Sequence, residues 1–170
     1  MSKTQTKPAT ETSTMAYKEW QLPHDFVTEA GARIPRPVVA YHTAGRLNKA
    51  RDNVIWVAHA LTANSDVASW WPKMVGPGLL MDTNKYFVIS ANILGSCYGT
   101  TGPLSVNPET GKPYFQSFPF VTIRDMVRLH QELRLQLGIK SIEMLIGGSI
   151  GGYQALEWAV MEPQLPRHVV

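Results

Sequence analysis

The stretch Ile142-Glu143-Met144-Leu145-Ile146-Gly147-Gly148-Ser149-Ile150-Gly151-Gly152 decides how the chain is read. A short apolar run, the length of a buried strand, meets a Gly-x-Ser-x-Gly turn. The residues from Gly151 to Met161 then read as a helix, with Ala155, Leu156 and Ala159 as its expected buried stripe and Pro163 as its stop. A strand that turns this sharply into a helix has no room for side chains two positions either side of the serine. Gly147 and Gly151 remove those side chains and tolerate strained backbone angles. Ser149 is thereby pushed out at the carboxyl end of the strand, beside free helix N–H groups whose partial positive charge favours a developing oxyanion. Such a serine is a nucleophile candidate. The bland alternative is a flexible Gly-Ser turn, and the flanking strand and helix argue against it.

Working outward, Asn53-Val54-Ile55-Trp56-Val57-Ala58 and Tyr86-Phe87-Val88-Ile89-Ser90 are further apolar runs, suited to parallel strands buried on both faces. The helical spacing from Phe120 to Leu137 predicts a helix, with Thr122 as N-cap and Gly138 as C-cap. Tyr17–Trp20 and Pro37–Tyr41 read as strands separated by turn signals at Gly31 and Pro35, and Arg167–Val170 as the opening of another. Strands alternating with helices imply a mostly parallel sheet with flanking helices, an α/β architecture. Leu94–Phe118 is rich in Gly, Pro, Thr and Ser and shows no obvious element, the mark of a functional or disordered loop.

The 170 residues are 44% hydrophobic and 17% charged, which suits one globular domain. The net charge of +3 is scattered rather than striped, so nucleic acid is not an expected partner. The single cysteine, Cys97, favours a reducing compartment, and the five dispersed histidines offer no metal site. Residues 1–15 carry no apolar secretion signal and are expected to be a disordered tail. No run approaches the roughly 20 apolar residues of a membrane span, so a cytoplasmic protein without membrane contact is expected.

The elbow and its context are those of the α/β-hydrolase fold, in which the loop after an earlier strand supplies a second oxyanion N–H. Here that loop is His59-Ala60-Leu61-Thr62, so the expected oxyanion donors are the backbone amides of Leu61 and Ile150. His59 is read as a buried histidine that ties the loop down, because the catalytic histidine of this fold follows the nucleophile. After Ser149 the titratable candidates are Glu157, Glu162 and His168, and none is placed to serve as its base.

Beyond the elbow, the chain resembles the homoserine O-acetyltransferase family. The resemblance rests on Tyr41-His42-Thr43-Ala44-Gly45-Arg46-Leu47-Asn48, His59-Ala60-Leu61-Thr62, Asp82–Ile89, Asn92–Pro103, Asn107–Tyr114, Thr122–Val127, Gly147–Gly152 and Leu156–Val160, in family order from residue 17 onward. Ala63 stands where the pattern has Gly, and Ile150 where it has Met; neither change removes a backbone donor. The resemblance implies an acyltransferase of methionine biosynthesis that moves an acetyl group from acetyl-CoA, a co-substrate rather than a bound cofactor, to the hydroxyl of L-homoserine through an acyl-Ser149 intermediate. It implies a homodimer whose later part carries a helical lid, the catalytic Asp and His, and a substrate-binding arginine. Residues 16–170 are then the N-terminal part of a single α/β-hydrolase domain, truncated after the nucleophile helix and inactive by itself. Homoserine or serine O-succinyltransferases of the same family remain open alternatives, as does an esterase-type serine hydrolase. The Asn92–Pro103 and Asn107–Tyr114 stretches argue against a plain esterase.

Overall fold

The computed structural model describes residues 15–170. Its main sheet has six strands: β1 (Ala16–Gln21), β2 (Val38–Ala44), β3 (Val54–Ala58), β4 (Phe87–Ala91), β5 (Ile142–Gly147) and β6 (Pro166–Val169). Their spatial order is β1-β2-β4-β3-β5-β6. From β4 through β6 neighbouring strands are parallel, and β2 and β1 add an antiparallel edge. Helices α1 (Ile123–Gln136) and α2 (Ile150–Met161) pack on one face. The fold is α/β with a mostly parallel sheet, as the alternation of elements predicted.

The strand alternation explains why two apolar layers form. Val54, Trp56 and Ile89 face α1 and α2, while Ile55, Val57 and Val88 face a smaller layer with Val67, Val75 and Met81. Every residue of β3 and β4 is therefore buried. β5 is only partly so: Ile142 and Leu145 are buried beneath the helices, whereas Met144 and Ile146, on the smaller layer, are half-buried. Met15, expected to end the tail, is instead buried in that smaller layer, where its side chain leaves water. The rest of the expected tail lies outside the described residues.

The predicted stops of α1 are present. Thr122 Oγ1 accepts the Asp125 N–H at 3.1 Å and Asp125 Oδ2 accepts the Thr122 N–H at 3.1 Å, a reciprocal capping box. Gly138, at φ +67°, follows the helix in the left-handed conformation that closes it. The stripe of α2 differs from expectation. Ala155 is buried, but its partners are Gly151, Gln154 and Trp158, and Leu156 is 62% exposed. The Leu94–Phe118 loop is also ordered. Thr100 and Thr101 reach the β2 backbone through their hydroxyls, at 3.0 Å from the Ala40 N–H and 2.8 Å from the Val38 N–H. No helix of the described residues is long and apolar enough to cross a membrane.

His130, on α1, is buried between Trp56 and Trp158, with ring centroids 5.9 and 6.4 Å away. Burial, with a smaller contribution from His59, holds its pKa down at about 4. The unfolded chain takes up this proton near pH 6.5, so acidification from about 6.5 to about 4 favours unfolding, by about 3 kcal/mol at the lower end. Above pH 6.5 both states are neutral and the effect vanishes. Melting of the wild type and a His130→Leu variant across this range is expected to show the wild type losing stability relative to the variant as pH falls. Parallel pH curves would contradict the buried neutral histidine.

Candidate active site

Ser149 caps α2 with φ +58° and ψ −127°, a backbone conformation that an L residue holds only under strain. The strain falls on the serine rather than on Gly147 or Gly151, neither of which has a positive φ. The two glycines serve by close approach. A Cβ on Gly147 would lie 2.2 Å from the Gly151 carbonyl oxygen, so the collision across the elbow is real. For Gly151 the obstacle differs from expectation: its Cβ would meet the Ala58 carbonyl oxygen at 2.0 Å and that of His59 at 2.9 Å. The first turn of α2 therefore sits directly on the carboxyl end of β3. Nothing lies within 4 Å of a Cβ on Gly148.

The serine side chain is exposed and makes no capping bond to its own helix. Gly151 donates to the Gly148 carbonyl at 3.0 Å and Tyr153 to the Ser149 carbonyl at 3.2 Å. No acceptor among the described residues takes the Ile150 N–H. Ala58 pairs with Gly147, so the loop after β3 rises beside the elbow. There the Ala60 carbonyl accepts the Ala63 N–H at 3.0 Å, closing a tight turn, and the N–H of the exposed Leu61 at the next position has no acceptor among the described residues. The structure thus brings Ser149, Ile150 and Leu61 to one end of the sheet.

None of the bases considered from the sequence reaches the serine among the described residues. Glu157 is eight residues along α2, about 12 Å of rise away, and accepts from Arg124 Nε at 2.5 Å. Glu162 closes the far end of that helix and accepts from Arg134, Gln131 and Trp158. His168 lies opposite Met144, about 10 Å short of the elbow along the strand. His59 is fully buried, its Nδ1 2.8 Å from the Ala60 carbonyl, and burial holds its pKa below the usual value. No three His, Cys, Asp or Glu side chains converge among the described residues to hold a metal.

Two features escaped the sequence reading. A cleft of about 340 Å³ opens beside the elbow, lined by Ala58, Ala60, Ile146, Gly148 and the half-buried pair Trp70–Trp71. Those indoles stack at 5.6 Å with 14° between their planes. Asn92, buried, ties two loops together: its Oδ1 accepts the Ser65 N–H at 2.8 Å, while its Nδ2 donates to the Tyr98 carbonyl at 2.6 Å and its carbonyl accepts from Thr100 Oγ1 at 2.8 Å. An adjacent pair of tryptophans shortly after the His59–Thr62 loop was the available signal for the first. Nothing local marks Asn92.

Residues 53–170 match the family model described as the alpha/beta hydrolase fold. The chain belongs to the α/β-hydrolase family. Among curated relatives of this α/β hydrolase, a homoserine O-acetyltransferase of Carboxydothermus hydrogenoformans is 50% identical over a match covering 86% of the chain and 41% of the relative. The chain spans less than half the length of such relatives. Among solved structures, homoserine O-acetyltransferase from Bacillus anthracis superposes with a TM-score of 0.84 at 34% identity, covering 93% of this chain and 46% of that one. An esterase E22 mutant (L374D) superposes with a TM-score of 0.85, also at 34% identity, covering 91% and 46%. An esterase is thus as similar in fold as the transferase.

The glycine geometry sets an order of tolerance. Gly147→Ala and Gly151→Ala are expected to destabilise the protein by about 3 kcal/mol or more, because the added methyl group meets backbone that cannot swing aside. Gly148→Ala, facing open space, should change stability by less than about 1 kcal/mol. Thermal melts of the three variants decide it, and three equal melting temperatures would refute the elbow packing.

Proposed function

We propose that the chain is the nucleophile-bearing part of an acyltransferase that moves an acetyl group from acetyl-CoA to the hydroxyl of L-homoserine. The observation that carries this reading is Ser149, strained and exposed at an elbow, with the Ile150 and Leu61 N–H groups at the same end of the sheet and without acceptors among the described residues. The 50% identity to a homoserine O-acetyltransferase supplies the choice of substrates. In the first half-reaction, Ser149 Oγ attacks the thioester carbonyl and its proton passes to a base. An Oγ–C bond forms, and the tetrahedral oxygen takes its negative charge between the Leu61 and Ile150 N–H groups. Collapse breaks the C–S bond and CoA departs as a thiol, carrying the proton the base held. The homoserine hydroxyl then attacks the acyl-serine, gives up its proton through the same base, and returns Ser149 Oγ to its protonated form. Glu157, Glu162 and His168 lie away from Ser149 and His59 is buried against the Ala60 carbonyl, so this reading calls for a base other than these four.

The likeness to esterase E22 favours one second reading, in which water takes the place of homoserine. Both readings share the acyl-serine and part only at its breakdown.

Rapid mixing of the full-length protein with acetyl-CoA, without homoserine, is expected to release one equivalent of CoA and leave an acetylated peptide containing Ser149. Added homoserine should then yield O-acetylhomoserine, whereas an esterase would yield acetate whether or not homoserine is present. Running succinyl-CoA in parallel tests the donor. Ser149→Ala should lower turnover by roughly a thousandfold or more with the melting temperature preserved. Acetyl on Cys97, or no covalent intermediate, would overturn the assignment.

A further inference from the structure

His59 is a fully buried imidazole whose Nδ1 lies 2.8 Å from the carbonyl oxygen of the next residue, Ala60. A carbonyl can only accept, so Nδ1 carries the hydrogen and donates it. The Ala60 carbonyl belongs to the same peptide unit as the Leu61 N–H. That peptide is trans, since no described bond is cis, and in a trans peptide the C=O and N–H point in opposite directions. An imidazole that draws the Ala60 oxygen inward therefore turns the Leu61 hydrogen outward, where Leu61 is exposed and its N–H has no acceptor among the described residues.

The turn's own bond, from the Ala63 N–H to the same carbonyl, closes the Ala60–Ala63 turn but leaves its tilt to the sheet undetermined. The tilt needs an anchor in the core, and His59 is rooted there at the end of β3. We propose that His59 is a positioning residue for the oxyanion site: by holding the Ala60 carbonyl, it aims the Leu61 N–H at the acyl oxygen on Ser149. This rests on the acyl-serine reading above. It separates the work of the two donors, since the Ile150 N–H is aimed by its helix and the Leu61 N–H by a side chain.

Two substitutions at this position oppose packing and hydrogen bonding. His59→Phe fills the space but cannot donate; His59→Asn leaves space but sets an amide N–H near the place of Nδ1. The full-length protein is mixed with p-nitrophenyl acetate, and p-nitrophenolate release reports acylation of Ser149, with acetyl-CoA as a second donor. The Phe variant is expected to lose roughly 30-fold or more in the acylation rate constant, with the donor concentration at half-saturation changed less than about threefold. The Asn variant should stay within about fivefold of wild type despite melting at a lower temperature. Phe acylating faster than Asn would make His59 a packing residue and overturn the proposal. Should neither variant fold, nitrogen-15 chemical shifts of His59 in the wild type still decide: a protonated Nδ1 with bare Nε2 supports it, and the opposite tautomer excludes the bond on which it rests. A wild-type protein that acylates with neither donor would overturn the acyl-serine reading itself, an outcome distinct from a wrong ranking of the two variants.

Discussion

At Gly151 the first turn of α2 rests on the end of β3 so closely that a Cβ would lie 2.0 Å from the Ala58 carbonyl oxygen. The rest of the site depends on that contact. Because the helix can start there, the chain must leave β5 and reverse within Gly148–Ser149, and the reversal forces Ser149 to φ +58°. Strain of this kind costs roughly 1–3 kcal/mol and persists only where the surroundings over-determine it. Here the over-determination comes from parallel pairing of β5 with β3 on one side and the burial of Ala155 and Trp158 under α2 on the other. The same contact sets the loop that begins at His59 alongside the serine. One close approach thus produces the exposed nucleophile and its neighbouring amide together.

Behind the elbow the interior combines apolar packing with a few polar tethers. Trp56 and Trp158 meet edge to face at 4.9 Å, joining β3 to α2. His130 sits against both, and Asn92 fastens the Ser65 loop to the Tyr98–Thr100 segment. Polar groups this deeply buried lose their hydration, so each hydrogen bond they do make is worth keeping. The consequence for function is rigidity in the loops that flank the serine. A preorganised amide stabilises an oxyanion because it need not reorient when charge appears.

Much of this was legible in the residues because it is local. The apolar runs of β3 and β4 are buried on both faces and read that way, and the Thr122–Asp125 cap and Gly138 stop are short-range chemistry. The elbow, too, announces itself within eleven residues. What was not legible arises from contacts between distant segments. The α2 stripe was misread because Ala155, Leu156, Trp158, Ala159 and Val160 are apolar nearly all round the helix, so its periodicity does not select a face, and the polar Gln154 takes a buried place. The Leu94–Phe118 segment does hold elements, a pairing of Val106–Asn107 with Lys112–Pro113 and a 3-10 turn at Phe115–Ser117, but they are too short to show a period, and threonine hydroxyls bonded to β2 hold its earlier part. Met15 is held by the far side of the sheet, a partner that nothing near it in sequence reveals.

The central claim is that backbone geometry at the elbow makes Ser149 the reactive serine. It is tested most directly by exposing the full-length protein to a fluorophosphonate, which forms an oxygen–phosphorus bond with an activated serine and loses fluoride. Peptide mapping then locates the label. The account predicts one phosphonate per chain, on the peptide containing Ser149, and none in a Ser149→Ala variant. A label on another serine, or a protein with its full activity that takes up no label, would contradict it.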